Sequence, residues 1–353
     1  MRAVLPRLLT ILFLASFCSV LFWVFLSNSP RDPHTAAVSD KTKLSCKPHK
    51  GNNNVSRLLR LYSSKWRKHE SNFKKFRLLL SNTSNAFSKA IVTQSNTPVG
   101  SKLVFDGDPK KSLEVKQPLF NTFVKKQPFK SGKLESCTVV GNGGILANSS
   151  CGKEIDAAEF VIRCNLAPLG KVHEKDVGNK THLVTANPSI FQEKYKGLME
   201  RRRPFVESLH PYGNSLLLLP AFSFAPNTPI SLRVYYTLED FRKATPQVIF
   251  LNPDYVKRLA GLWKSRGLCA ARLSTGLIMA SLAVELCDNV HLYGFWPFEF
   301  HPTTRQKLSN HYYDNRPCKK NVHSMSTEFE LLLELHTRGV LHLHLGECPV
   351  NSD

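Results

Sequence analysis

The C-terminal part of the sequence, residues 96–353, predicts an α/β domain. Short apolar segments in this part end in glycine, asparagine or serine and lead into stretches with helical periodicity. Residues 137–141 (CTVVG) have the composition of a buried strand and precede a tight GNGG loop and the helical segment EIDAAEF. From Leu273, an LSTG turn precedes the apolar segment LIMASLAVELC, and NVHLYGFWPF predicts a strand with an exit loop. These two units indicate one folded domain of alternating strands and helices.

An uncharged apolar segment near the N-terminus predicts a membrane anchor. Residues 8–26 (LLTILFLASFCSVLFWVFL) would form a helix of roughly 28 Å, which is enough to cross a bilayer. Arg2 and Arg7 favour a cytosolic N-terminus. A cleaved signal peptide is the alternative, but its apolar core is usually shorter than this segment. We therefore expect a type II membrane protein with a cytosolic tail at 1–7, a signal anchor at 8–26 and a lumenal remainder.

Residues 27–95 are rich in Ser, Asn, Lys and Arg, and we interpret them as a lumenal stem. The stem includes the basic stretch RLLRLYSSKWRKHESNFKKFRLLL at residues 57–80. Its apolar residues would suit one face of an amphipathic helix at a membrane surface. A solvated, charged spacer is the simpler interpretation, and it is the one we favour.

The cysteines and the glycosylation sequons agree with a lumenal location. Eight of the nine cysteines follow the apolar segment, where disulfides can form. The net charge of +21 would suit nucleic acid, but a lumenal protein does not normally meet it. Anionic sugars, nucleotide phosphates and membrane headgroups are the acidic partners that we expect, and nucleic acid is not. The N-glycosylation sequons begin at Asn54, Asn82, Asn148 and Asn179.

The GNGG loop at residues 141–144 is the first candidate for ligand binding. Glycines directly after a strand allow the backbone to approach a phosphate or a ribose, although this signal is weak alone. A dinucleotide oxidoreductase would carry G-x-G-x-x-G and an acidic residue about twenty residues later. The sequence has Asn165 at that place. The oxidoreductase hypothesis is therefore disfavoured.

The turn formed by Ser274, Thr275 and Gly276 is the second candidate. Ser274 is placed to cap the N-terminus of the following helix, where hydroxyls and free N–H groups could hold a phosphate or a carboxylate. An ordinary capping serine is the alternative when this feature is considered alone.

Two histidines, His311 and His323, lie in loop-like stretches and are candidates for proton transfer. A neutral histidine can take a proton from a sugar hydroxyl, and a cationic one can offset the charge of a departing phosphate. A purely structural hydrogen bond is the alternative for each of them. The sequence contains no H-E-x-x-H or paired C-x-x-C spacing, so we expect no catalytic metal.

Four segments of residues 96–353 resemble the motifs of animal sialyltransferases. Residues 137–188, beginning CTVVGNGGILANSSCGKEIDAAEFVIRCNLAPL, resemble the large sialylmotif, and ARLSTGLIMASLAVELCDNVHLYGFWPF resembles the small one. His311 begins HYYD, which is similar to the third motif, and His323 with Glu328 matches the H-x-x-x-x-E of the very small motif. The forms GNGGIL, RCNL, ANPS, LRVYYTL and YGFWPF are similar to the α2,8 subfamily. The sequence is therefore identified as a member of the sialyltransferase family.

This resemblance implies a Rossmann-like sialyltransferase fold, a variant of the GT-A type, whose central, mostly parallel sheet is flanked by helices. It implies a Golgi membrane enzyme that transfers sialic acid from CMP-sialic acid to the 8-hydroxyl of a terminal sialic acid on a glycolipid or a glycoprotein. The family reaction inverts the anomeric carbon and needs no metal or other cofactor. The carrier of the acceptor, the number of sialic acids added and the existence of a homo-oligomer stay open.

The resemblance also implies roles for particular residues. His323 is expected to be the general base, and His311 is expected to stabilise the phosphate. The residues expected to contact CMP-sialic acid are Asn142, Asn165, Ser274, Thr275, Gly276 and Trp296. The residues expected near the acceptor are Asn187, Pro188 and Ser189.

Two disulfides are implied by the same resemblance. Cys137 is expected to join Cys287, and Cys151 is expected to join Cys348. The pairing of the other lumenal cysteines stays unassigned: Cys46, Cys164, Cys269 and Cys318. Two alternatives to a mono- or oligosialyltransferase stay open. One is an inactive sialoglycan-binding protein, and the other is a polysialyltransferase, which the moderately basic stretch before the small motif disfavours.

Overall fold

The fold is taken from a computed structural model, which describes residues 59–60, 62, 65–129, 134–241, 246–316 and 324–349. The predicted cytosolic tail and anchor, at 1–7 and 8–26, lie outside the described residues. So do Cys46, Asn54, Cys318 and His323. Within the described ranges, no helix combines the length and the apolar character needed to cross a bilayer.

Seven parallel strands form the centre of the molecule, in the order β7-β6-β5-β4-β3-β8-β9. The predicted α/β class with a mostly parallel sheet is confirmed. A separate antiparallel pair, β1 and β2, precedes this sheet. The strands are β1 Lys102–Val104, β2 Ser112–Glu114, β3 Leu134–Val140, β4 Phe160–Arg163, β5 Leu183–Thr185, β6 Leu216–Leu219, β7 Gln247–Phe250, β8 Cys287–Tyr293 and β9 His342–His344.

Helices cover both faces of the central sheet. They are α1 Glu70–Thr83, α2 Ala86–Lys89, α3 Gln117–Phe120, α4 Gly152–Ala157, α5 Glu174–Val177, α6 Pro188–Tyr195, α7 Arg202–Ser208, α8 Asn227–Phe241, α9 Pro253–Ser265, α10 Thr275–Leu286 and α11 Met325–Thr337. Short 3₁₀ turns occur at Gly144–Leu146, Lys196–Leu198 and His210–Tyr212.

The strands are apolar on both sides, so alternate residues enter opposite cores. Leu218 of β6 joins one hydrophobic cluster, while its neighbours Leu217 and Leu219 join the other. The first cluster includes α10, which is mostly apolar and is buried around its whole circumference from Leu277 to Leu286. This helix packs against β3, β8, α1 and α2.

The folded region begins before the predicted boundary at residue 96. Helix α1 lies inside the predicted stem, yet Phe73, Phe76 and Leu80 are buried in the first hydrophobic cluster. Arg77 of the same helix forms an ion pair of 2.7 Å with Asp288. The spacer interpretation is therefore wrong for this helix. Lys74 and Lys75 lie on the exposed face of a helix whose apolar stripe belongs to the core, whereas Arg77 reaches inward and also donates to the carbonyl of Val284.

Both predicted disulfides are confirmed. Cys137 bonds to Cys287 across 150 residues of sequence, and Cys151 bonds to Cys348 across 197 residues. Cys269 is also disulfide-bonded. Cys164 is a free, buried thiol, and burial raises its pKa to about 12.

Three of the four predicted glycosylation asparagines lie in the described residues. Asn82 and Asn148 are exposed, while Asn179 is half-buried. The backbone N–H of Asn179 donates to Oδ2 of Asp156 at 2.8 Å. Carbohydrate at these sites stays a prediction.

Candidate active site

The site forms where the order of the strands reverses. From β3 the chain adds strands in one direction as far as β7, and it then returns to place β8 on the other side of β3. Ligands of open α/β sheets bind at such a switch point, beyond the carboxyl ends of the strands. The GNGG loop follows β3 and the GFWPF loop follows β8, so both predicted loops meet there.

Close backbone contact between these two loops explains why glycine occupies positions 141 and 143. The N–H of Gly143 donates to the carbonyl of Gly294 at 3.0 Å. A Cβ atom on Gly141 or Gly143 would lie 2.7 Å from that carbonyl oxygen, which is closer than real contacts allow. A side chain at either position would therefore push the loops apart.

His311 is attached directly to the GNGG loop. Gly143 and His311 form an antiparallel bridge, and the N–H of Tyr312 donates to the carbonyl of Asn142 at 3.0 Å. The third motif therefore lies against the start of the large motif, although the two are far apart in sequence. The structure brings Asn142 and His311 together, as expected for groups that contact one donor.

Asp314 orients the imidazole of His311. Its Oδ1 lies 2.7 Å from Nδ1 of His311, and both side chains are about 30% exposed. Partial burial tends to raise the pKa of Asp314, but hydrogen bonds from His311 and Arg316 outweigh this effect, so the pKa is lowered. Asp314 therefore holds Nδ1 of the ring and leaves Nε2 available to a ligand.

Ser274 caps helix α10, as the sequence predicted. Its Oγ accepts a hydrogen bond of 3.1 Å from the N–H of Leu277. Its own N–H donates to Oε1 of Glu328 at 2.9 Å. Glu328 is only 3% exposed, and burial raises its pKa to about 7, although the hydrogen bonds from Ser274 lower it. Glu328 of the very small motif thus holds the Ser-Thr-Gly turn of the small motif in place.

Asn187 connects the predicted donor and acceptor residues. Oδ1 of Asn165 accepts from the N–H of Asn187 at 2.9 Å. Oδ1 of Asn187 in turn accepts from the hydroxyl of Thr275 at 3.4 Å. Asn165 has a φ of +64°, a left-handed conformation that asparagine adopts more readily than most residues. The large and small motifs are therefore joined by side-chain contacts at the sheet edge.

A cavity of about 260 Å³ opens beside this connection. Asn187, Pro188, Ser189 and Thr275 line it together with Arg272. Burial lowers the pKa of Arg272, while the charge of Asp106 raises it. The guanidinium also lies over the ring of Phe224, 5.3 Å from its centroid. Arg272 therefore lines the wall that the sequence assigned to the acceptor, and its charge interacts with that of Asp106.

Gly276 and Trp296 complete the predicted set. A Cβ atom on Gly276 would lie 2.8 Å from Cε1 of Phe295, so this glycine allows close packing of the two loops. Trp296 is 7% exposed, and its indole N–H donates to the carbonyl of Phe300 at 2.9 Å. Its ring packs edge-on against Phe329 of α11. Trp296 supports the loop after β8, and its contact with the nucleotide stays a prediction.

Two further residues lie within the motif segments but were assigned no role from the sequence. Asp314 stands three residues after His311, and Arg272 stands two residues before Ser274. A carboxylate close to a loop histidine is a signal that could have been noticed. The position of Arg272 in the cavity depends on tertiary packing. His323, the expected base, lies outside the described residues, so its place relative to His311 stays a prediction.

Comparison with known proteins identifies the family. Glycosyltransferase family 29 (sialyltransferase) matches residues 91–340. Human "Alpha-2,8-sialyltransferase 8F" is 45% identical over 291 residues, which are 82% of this chain and 72% of the relative. The Xenopus tropicalis "Alpha-N-acetylneuraminide alpha-2,8-sialyltransferase" is 46% identical over 80% of this chain and 81% of its own length.

One solved structure, titled as a mammalian sialyltransferase, is 21% identical with a TM-score of 0.42, over 85% of this chain and 87% of that one. The family match covers all of the strands of the described sheet except the last, β9, together with the loops that meet at the switch point. The chain therefore belongs to glycosyltransferase family 29, the sialyltransferases.

Proposed function

We propose that this sialyltransferase moves sialic acid from CMP-sialic acid to the 8-hydroxyl of a terminal sialic acid on a glycolipid or glycoprotein. The relatives that match over most of the chain at 43–46% identity are named as α2,8-sialyltransferases. The structural observation that carries the proposal is the cavity beside Asn187 and Thr275. It combines polar groups suited to a sugar with the cationic side chain of Arg272, and an acceptor that ends in sialic acid carries a carboxylate.

The donor occupies the switch point in this proposal. The capped N-terminus of α10 offers N–H groups to an anionic part of CMP-sialic acid. The backbone of Asn142 and Gly143 allows the nucleotide to approach closely. Nε2 of His311, with Nδ1 held by Asp314, contacts the phosphate that becomes the leaving group.

The transfer itself is a single displacement. His323 removes the proton from the 8-hydroxyl of the acceptor. The oxygen then attacks the anomeric carbon of the donor sugar while the bond from that carbon to the phosphate oxygen breaks. CMP leaves with the electron pair, and its new charge is stabilised by His311. The configuration at the anomeric carbon is inverted, and no metal or other cofactor takes part.

Paired acceptors test this proposal. The full-length protein, in detergent, is incubated with labelled CMP-sialic acid, EDTA and one of two glycans that differ only in a terminal sialic acid. We expect transfer to the sialylated glycan and little to its asialo form. Preferential transfer to the asialo form would overturn the proposed acceptor. Binding of CMP without transfer to either glycan would favour the inactive sialoglycan-binding protein.

We also infer that the enzyme is anchored in the Golgi membrane, with its catalytic domain in the lumen. The support is the apolar segment at 8–26, the two preceding arginines and the disulfides of the folded domain. Protease added to sealed Golgi vesicles should leave the domain intact until detergent is present. Digestion of the domain in sealed vesicles would contradict this orientation.

A further inference from the structure

Three histidines lie on one face of the sheet edge formed by β8 and β9. His342 and His344 are two residues apart on β9, so their side chains point to the same side. His291 of β8 is the direct partner of His342 in the strand register. The proposed transfer reaction uses none of these residues.

The ring nitrogens of this cluster are spaced for a metal ion. Nδ1 of His291 and Nε2 of His344 are 3.1 Å apart. Two nitrogens bound to tetrahedral zinc at about 2.0–2.1 Å are separated by about 3.3 Å. Each of His291, His342 and His344 has one ring nitrogen that lies within 4.8 Å of a ring nitrogen of the other two. Small rotations of half-buried rings would bring all three around one ion.

From this geometry we propose that His291, His342 and His344 form a structural binding site for a divalent transition metal, with Zn²⁺ as its ion. Imidazole is a preferred ligand of zinc, and two adjacent strands give the rings a fixed frame. Burial lowers the pKa of His342 to about 3 and that of His344 to about 2, which agrees with neutral rings.

His336 borders this site but is not one of its ligands. Its Nδ1 accepts a hydrogen bond of 3.1 Å from the N–H of Leu343. The neutral ring therefore carries its proton on Nε2 and has no second lone pair to give to a metal. The fourth coordination position is left for water, because Glu154 groups with His344 and Cys348 and not with His291 and His342. Cys348 is near Glu154 and His344, but its sulfur is engaged in the disulfide with Cys151.

The site would fasten the start of the folded region to the last strand. The indole of Trp66 stacks on His342 with ring centroids 4.4 Å apart, and its N–H donates to the carbonyl of His336. The hydroxyl of Tyr62 accepts from the N–H of Leu345 at 2.9 Å. An ion held by β8 and β9 would fix the rings on which Trp66 packs. Bound zinc would therefore raise the stability of the folded chain without entering the transfer reaction.

The test is zinc binding by the full-length protein, purified without a polyhistidine tag and treated with a chelator that is then removed. We expect calorimetric titration with ZnCl₂ to saturate at one ion per chain and the Tm to rise until that point. Cobalt added in place of zinc should give the visible absorption bands of a tetrahedral site. Absence of saturable binding, or a Tm that zinc leaves unchanged, would overturn the proposal.

Two variants each remove one ligand, and a third variant serves as the control. His344→Phe keeps an aromatic ring against Tyr293, whose centroid lies 4.0 Å from that of His344, but removes the nitrogens. His291→Asn is the second ligand variant, in case the first does not fold. The control is His336→Asn, because the amide oxygen can still accept from Leu343. We expect both ligand variants to lose the zinc-dependent rise in Tm and the control to keep it. Equal binding by all three variants would exclude this cluster as the site.

Discussion

The backbone N–H of Ser274 donates a 2.9 Å hydrogen bond to Oε1 of Glu328, and this bond joins the N-terminus of α10 to the first turn of α11. Glu328 is almost completely buried, and its position beneath the proposed donor turn has two consequences. The carboxyl holds the Ser-Thr-Gly turn in place, and its protonation couples the stability of the domain to pH.

Glu328→Gln should remove a pH dependence of stability. The folded-state pKa of Glu328 is about 7, above its ordinary value of 4.5. The stabilising contribution of the neutral carboxyl is therefore fully present below about pH 4.5 and is lost as the pH rises through about 7. The difference corresponds to about 3 kcal/mol. Gln does not titrate, so the stability of the wild type should fall relative to Glu328→Gln between pH 5 and pH 8, as measured by urea unfolding. Parallel profiles for the two proteins would contradict the raised pKa.

Thr275→Val should weaken catalysis because it removes the hydroxyl that donates to Asn187 while keeping the shape of the side chain. One neutral hydrogen bond contributes about 1 kcal/mol, so we expect kcat/KM to fall about fivefold. Thr275→Ser retains the hydroxyl and is the matched control, with activity near that of the wild type. If the two variants had equal kcat/KM, the contact between Thr275 and Asn187 would have no part in the reaction.

Asp314→Ala should lower kcat, because the imidazole of His311 loses the carboxylate that orients it. The loss of one hydrogen bond to a charged group predicts a decrease of roughly tenfold or more. The KM for CMP-sialic acid should change less, since the other donor contacts remain. Asp314→Asn keeps an acceptor oxygen and should retain more activity than Asp314→Ala. Unchanged turnover in Asp314→Ala would show that His311 needs no such support.

Arg272→Gln should impair the use of the acceptor more than the binding of the donor. If the guanidinium holds the carboxylate of the acceptor, its loss should lower kcat/KM for a sialylated acceptor by about 10- to 100-fold, as expected for a charged hydrogen bond. The KM for CMP-sialic acid should stay near that of the wild type. Arg272→Lys retains the charge and should be less impaired. If the variant lost kcat/KM equally for the acceptor and for CMP-sialic acid, the result would instead indicate a structural pairing of Arg272 with Asp106.

Replacing Cys151 and Cys348 together by Ser should destabilise the domain. Their bond closes a loop of 197 residues and ties the last part of the described chain to the loop before α4. Removal of a native disulfide typically costs about 2–5 kcal/mol. The midpoint of urea unfolding should fall accordingly, whereas Cys164→Ala removes a free thiol without burying an unpaired hydroxyl and is the comparison. An unchanged midpoint in the double variant would contradict a stabilising role.

The sequence predicted those features that depend on local pattern. The strand at CTVVG, the capping Ser274 and the apolar helix after it follow from composition and periodicity, and all are observed. Helix α1 was mistaken for a spacer because it lies in a stretch, residues 57–80, that is rich in lysine and arginine. Its apolar face, with Phe73, Phe76 and Leu80, is buried because it packs against α9 and α10, and those contacts are long-range.

Long-range contacts set the limit of prediction for the site. The individual motifs were found in the sequence, and their resemblance to a family showed that they belong to one site. The contacts between them, such as Asn165 with Asn187 and Ser274 with Glu328, join residues that are distant in sequence. Periodicity contains no information about such pairs, and neither Arg272 nor the histidines of β8 and β9 stand out without the sheet that brings them together.

The linkage of the product tests the central proposal most directly. A sialylated oligosaccharide is converted with CMP-sialic acid in the presence of EDTA, and the position of the new bond is determined by NMR and by linkage-specific sialidases. The account predicts an α-linked sialic acid on O8 of the acceptor's terminal sialic acid. A new bond to a galactose hydroxyl would contradict it.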